Sequence, residues 1–187
     1  MGKVISLIGI TTDGFADAQF LLIDDEFHEF ALGLLADSDT VAYGRSTFEL
    51  FQTIWPPRLE NEKATEGQRK LARALTDKPK TVYSSTLKTT TWNNSTIAEK
   101  IDAEHINSFK QRGKKGLFTV GSVSLVAELT EMKLVDDYYF CIQPLIAGAG
   151  SVRLSDKLHL DAPLSLKYID SVQFKSGVHI IHYQSAY

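Results

Sequence analysis

The stretch GLFTVGSVSLVAEL, residues 116–129, decides the fold. Leu117–Val120 is a short apolar run of strand type, Gly121-Ser122 is a tight turn, and a helix follows. A glycine at the turn permits φ > 0 and the close approach of another backbone or of a ligand. The helix it opens presents unpaired N–H groups and a positive dipole end, which suits an anion such as phosphate. Two turns of related chemistry lie upstream, each just after an apolar strand: Gly44-Arg45-Ser46-Thr47 and Ser84-Ser85-Thr86.

Working outward, the same alternation of strand and helix runs through the first two thirds of the chain. Lys3–Ile10 reads as a strand, ended by the turn signal Asp13-Gly14. Asp24-Asp25 opens a helix to about Leu35, with Phe27, Phe30, Ala31, Leu34 and Leu35 at helical spacing and His28 and Glu29 beside that stripe. Thr40–Tyr43 is a strand, and a short helix follows through Phe51, ended by Pro56-Pro57. Residues 58–75 read as a loop and then a helix. Lys80–Tyr83 is a strand, and Thr91–Ile97, with Trp92, is strand-like. Ala98–Arg112 reads as a helix with Ile101, His105 and Phe109 on one face, ended by Gly113. After residue 130 the period changes to that of strands: Val135–Pro144, a glycine loop at Ala147–Gly150, then Leu164–Phe174 and Val178–Tyr187 joined at Ser176-Gly177. The pattern predicts a three-layer α/β/α domain over residues 1–187, with a mixed, mostly parallel sheet and a C-terminal antiparallel hairpin.

Composition narrows the function classes. A chain of 187 residues buries roughly 70% of its unfolded surface and needs no staples to hold a core. A net charge of −3 points away from nucleic acid and from a membrane surface as partners. No apolar run approaches the roughly 18 residues of a membrane span, and the N-terminal segment reads as a strand rather than a leader, so a cytoplasmic location is expected. One cysteine, Cys141, and five scattered histidines offer no metal-ligand spacing; Cys141 sits in an apolar run and reads as an inert buried thiol.

In open α/β sheets, ligands sit outside the carboxyl ends of the strands. Gly44–Thr47, Ser84–Thr86 and Gly121-Ser122 all fall there. Gly44 allows backbone approach, Ser46 and Thr47 supply hydroxyls, and Arg45 supplies a planar fork for phosphate. Together they describe a polyphosphate site. No G-x-G-x-x-G or Walker sequence is present, and Gly148-Ala149-Gly150 opens no helix.

Taken in order, TTDGFAD (11–17), ADSDTVAYGRSTFE (36–49), KTVYSST (80–86), WNNST (92–96), FTVGSVSLVAEL (118–129) and LVDDYYFCIQPLIAGAG (134–150) resemble the dihydrofolate reductase-like superfamily. Within it they resemble the stand-alone relatives of the riboflavin-biosynthesis reductase domain, the C-terminal domain of bifunctional RibD. The resemblance implies NADPH as cofactor. Arg45 with Ser84 or Ser85 then faces the 2′-phosphate, alongside Thr86. Thr47 and the Gly121-Ser122 turn take the pyrophosphate, with Gly44 and Ser46 in the same cradle. It further implies a homodimer acting on a small molecule, a pyrimidine- or pterin-type heterocycle such as the 5-amino-6-(5-phosphoribosylamino)uracil of riboflavin biosynthesis. The alternatives are a reductase of an unrelated carbonyl or imine compound and a non-catalytic NADP(H)-binding protein.

Two departures bear on the substrate. The deaminase signature H-x-E with P-C-x-x-C is absent, and where the riboflavin reductases carry an Asp-Asn-Pro segment with basic residues this chain reads FELFQTIWPPRLE, residues 48–60. Reduction of a polarised double bond also needs a proton source. The candidates are Asp13 in the first loop and His28 on the first helix, with Asp25, Glu26 and Glu29 nearby.

Overall fold

Strand β1 (Val4–Thr11) lies near the middle of an eight-stranded sheet of order β4-β3-β2-β5-β1-β6-β8-β7. The computed structural model describes residues 1–112 and 115–187. The other strands are β2 (Ser38–Gly44), β3 (Lys80–Tyr83), β4 (Ser95–Ala98), β5 (Gly116–Val120), β6 (Asp137–Gln143), β7 (Leu166–Gln173) and β8 (His179–Ser185). The helices are α1 (Asp25–Ala36), α2 (Arg45–Ile54), α3 (Glu66–Asp77), α4 (Ala103–Arg112) and α5 (Val123–Glu131).

β1 pairs parallel with β5 on one edge and with β6 on the other. β2, β3 and β4 continue the parallel set, while β8 pairs antiparallel with both β6 and β7. Parallel strands covered on both faces read as near-continuous apolar runs, which is why β1, VISLIGIT, does not alternate even though it carries the buried polar residues Ser6 and Thr11. Alternate side chains of β1 serve two cores. Ile5 and Leu7 pack with Phe27, Leu35, Leu71 and Leu75 of α1 and α3. Val4 and Ile8 pack with Ile106, Leu125 and Leu129 of α4 and α5. The result is the expected α/β architecture, helices on both faces of a mixed sheet with an antiparallel hairpin at its C-terminal edge.

Two elements differ from the sequence reading. β4 begins at Ser95, after Trp92, because Asn94 adopts φ +58 and interrupts the extended chain. Trp92 instead buries its ring in the core beside Tyr43 and Phe48. α4 begins at Ala103, because the Asp102 carboxylate accepts the His105 N–H at 3.0 Å and so sets the helix start. Its covered face is Ile106 and Lys110, and His105 faces solvent. The expected helix end at Gly113 falls outside the described residues.

Lys80 is 1% exposed, and its ammonium donates to the carbonyls of Leu75, Thr76 and Lys78 at 2.8–3.0 Å, closing the C-terminus of α3. Burial pushes its pKa from 10.5 down to about 8. Between those values the unfolded chain holds a proton that the folded chain has released, so stability rises with pH across that window. Relative to a Lys80→Met variant, the wild type should therefore gain stability between pH 8 and pH 10, measured by urea unfolding at both.

Candidate functional site

The parallel strands β1, β2 and β5 end on one side of the sheet, and α2 and α5 start there. Three other helices have side-chain N-caps. Asp24 caps α1, Thr65 and Gln68 form a capping box on α3, and Asp102 caps α4. Neither α2 nor α5 has a side-chain cap or an acidic residue in its first turn. The hydroxyl of Ser122, the residue before α5, instead accepts the N–H of Gly44, the residue before α2, at 3.0 Å. The two helix starts are thereby tied together. Gly121 takes φ +77, and a side chain there would meet Thr47 at 3.4 Å. Two positive helix ends thus converge with their capping positions open.

These starts form one end of a cleft of ≈ 610 Å³, a size ordinary for a ligand site. Its floor is the sheet face of Leu7, Gly9, Val120, Cys141 and Gln143. Gly9 admits the Leu21 side chain, which an added Cβ would meet at 2.8 Å. Gln143 donates to the Cys141 sulfur at 3.3 Å and accepts the Leu22 N–H at 2.8 Å, holding the 21–23 segment along one wall. Burial pushes the Cys141 thiol up to about 12, so it stays protonated. Leu22, Ile23 and Leu50 are each at least 40% exposed, apolar side chains left in the open at this part of the surface.

Gly44, Arg45, Ser46, Thr47, Gly121 and Ser122 all line the cleft. Ser84, Ser85 and Thr86 lie outside its lining, but Arg45 reaches them: its Nη1 donates to the Thr86 hydroxyl at 2.7 Å while its Nε donates to Glu49 at 2.8 Å. The Ser84 hydroxyl lies 3.4 Å from that of Thr86 and accepts the N–H groups of Thr86 and Leu87. Lys88 donates to the Ser85 carbonyl at 3.0 Å, adding a second cation to the turn. Arg45 and the hydroxyl turn therefore form one polar corner.

The two proton-source candidates part company. Asp13 is outside the cleft lining, and its carboxylate accepts from the Thr11 hydroxyl and from the N–H groups of Ala147 and Gly148 at 2.6–3.0 Å. These bonds hold its pKa at about 2. With Asp17, which accepts the Ser151 N–H, it latches the first loop to the glycine loop. His28 lines the cleft with its side chain 2% exposed. Its Nδ1 has no hydrogen-bond partner among the described residues, although Asp25 Oδ1 lies 3.5 Å away.

Apart from Thr47, the opposite wall was not singled out from the sequence. Thr47, Leu50, Phe51, Ile54, Trp55 and Arg58 all line the cleft. Their spacing of three and four residues is the signal that finds them, a stripe along α2 and the turn after it. The Trp55 Nε1 is buried with no partner among the described residues, and Arg58 sits 5.2 Å over its ring. An unpaired buried donor costs about 1–3 kcal/mol, which a ligand acceptor can recover. Among the described residues no Asp or Glu lines the cleft, whereas Arg45, Arg58 and Lys157 do. The same residues contain no cluster able to hold a metal ion and no helix long and apolar enough to cross a membrane.

The family model of the RibD C-terminal domain matches residues 3–180. An uncharacterised Bacillus subtilis protein, YyaP, is 26% identical over 179 residues, covering 94% of this chain and 91% of that one. Among solved structures, a riboflavin-biosynthesis protein from Shewanella sp. PV-4 superposes with a TM-score of 0.71 at 17% identity, over 99% of both chains. Enterococcus faecalis dihydrofolate reductase, solved with NADP(H), superposes with a TM-score of 0.61 at 12% identity, over 100% of this chain and 98% of that one.

The Asp13 latch has a checkable pH range. A depressed carboxylate contributes fully above its ordinary value of 3.8 and loses that contribution as pH falls through about 2. The amides of Ala147 and Gly148 should therefore keep their bonded NMR shifts down to pH 4, and Asp13→Ala should displace them at neutral pH.

Proposed function

The chain belongs to the RibD C-terminal domain family, and on that premise we propose that it is an NADPH-dependent reductase of a small pyrimidine- or pterin-type heterocycle. The observation that carries this reading is the pair of uncapped helix starts at Gly44 and Ser122, joined by one hydrogen bond and flanked by Arg45 with the 84–86 hydroxyls. The donor set suits the cofactor. Backbone N–H groups and the hydroxyls of Ser46 and Thr47 match a pyrophosphate, while a guanidinium beside Ser84, Ser85 and Thr86 matches a 2′-phosphate. NADPH bound there would supply a hydride to the substrate.

The residues of this chain do the rest. The Gly9 floor and the apolar α2 wall accept a flat ring and exclude water. His28, the titratable group in a wall without carboxylates, would hold and deliver the proton. Asp13, fully hydrogen-bonded and ionised at neutral pH, would serve instead to position the rim. We also propose a single domain over residues 1–187, a cytoplasmic location and a homodimer. The dimer would form through the β6–β8–β7 face, where Phe140, Tyr168, Ile181 and Tyr183 are only partly covered.

Titration with both cofactors tests the reading. Arg45→Ala should lose about 1.5–3 kcal/mol of NADPH affinity, the range for a hydrogen bond to a charged group, with little change for NADH. Unaltered NADPH affinity would overturn the 2′-phosphate assignment. Once a screen of pyrimidine and pterin compounds identifies an oxidant of NADPH, His28→Asn should lower kcat by about 10²–10⁴-fold while NADPH binds as before. An unchanged kcat would remove His28 from the chemistry.

A further inference from the structure

Arg45 holds two partners of different character. Thr86 is a neutral hydroxyl that can also bond a phosphate. Glu49 is a carboxylate, one turn along α2, at 2.8 Å from Nε. We infer that Glu49 is a specificity-determining residue: it occupies the Arg45 fork and narrows the preference for a 2′-phosphorylated nucleotide over its 2′-hydroxyl counterpart. This rests on the NADPH reading of the cleft and adds to it a residue that opposes the phosphate.

The argument is electrostatic. Arg45 is the first residue of α2, where the helix dipole disfavours a cation, and no acidic residue lies in that first turn. Glu49 offsets part of that cost through an i,i+4 pair whose side chains are 50% and 39% exposed. A 2′-phosphate gripping the guanidinium through two N–H groups must either displace Glu49 or sit beside it. Displacement breaks the existing pair, and coexistence places a carboxylate against a phosphate anion. A 2′-hydroxyl meets neither penalty and can donate to Glu49. The nearby groups Thr86, Ser84 and Lys88 add no further negative charge. Glu49 thus penalises one cofactor and not the other.

Calorimetric titration of NADPH and NADH into wild type, Glu49→Gln, Glu49→Ala and Arg45→Ala/Glu49→Gln separates the possibilities. Glu49→Gln and Glu49→Ala should tighten NADPH about two- to fivefold, the scale of an exposed charge pair. NADH should not tighten, the gain should fade in high salt, and the double variant should bind NADPH more weakly than Glu49→Gln. Equal tightening of both cofactors, or no change for NADPH in variants that melt like wild type, overturns the role of Glu49. The NADPH reading survives that result as long as Arg45→Ala still weakens NADPH. Absence of saturable NADPH binding by every variant overturns both.

Discussion

β1 carries parallel hydrogen-bond ladders on both edges, to β5 and to β6, and the remaining architecture follows from that constraint. A strand paired on both edges and covered on both faces is predominantly apolar, and its two faces separate the helices into two layers around it. Its parallel neighbours must return by crossovers, so their carboxyl ends collect on one side. The turns at Gly44 and Gly121 reach that side from strands β2 and β5, which are direct neighbours in the sheet. Their proximity is a property of strand order and not of either turn alone.

The Ser122–Gly44 hydrogen bond shows how the site departs from ordinary helix construction. A serine before a helix commonly bonds the N–H groups of its own first turn. Here its hydroxyl takes an N–H from the neighbouring turn, and the first turns of both α2 and α5 stay open. The chain caps its other helices with side chains, so the two open starts are local exceptions in a sequence that otherwise follows the capping rules. Exceptions of this kind are where function tends to sit, because the stability forgone at the cap is recovered when a ligand supplies the anion.

Polar side chains of the first and last thirds of the chain also divide their labour. Asp13 and Asp17 spend their carboxylates on loop amides, and Gln143 spends both ends of its amide on Cys141 and Leu22. These contacts shape the rim and floor. Among the described residues, His28 and Trp55 keep a buried nitrogen without a partner. Asp13, Asp17 and Gln143 are thus satisfied, while His28 and Trp55 retain capacity for a ligand.

The order of strands and helices was legible in the sequence because each rests on local chemistry: periodicity, the turn glycines, the helix start at Asp24. The three polar turns were legible for the same reason, and so was the resemblance to the RibD reductases. Asn94, tied to the carbonyls of Thr76 and Asp77, turned the chain before β4 through tertiary contacts, whereas Asp102 reset the start of α4 through a local cap. The sequence could not separate Asp13 from His28, since both are polar residues near the first strand. Only the folded chain did so, by supplying loop amides to one, from residues more than 130 positions away, and none to the other. It likewise turned the FELFQTIWPPRLE segment from a departure into a cleft wall. Spacing marks a helical stripe, but what that stripe faces depends on which strands end beneath it.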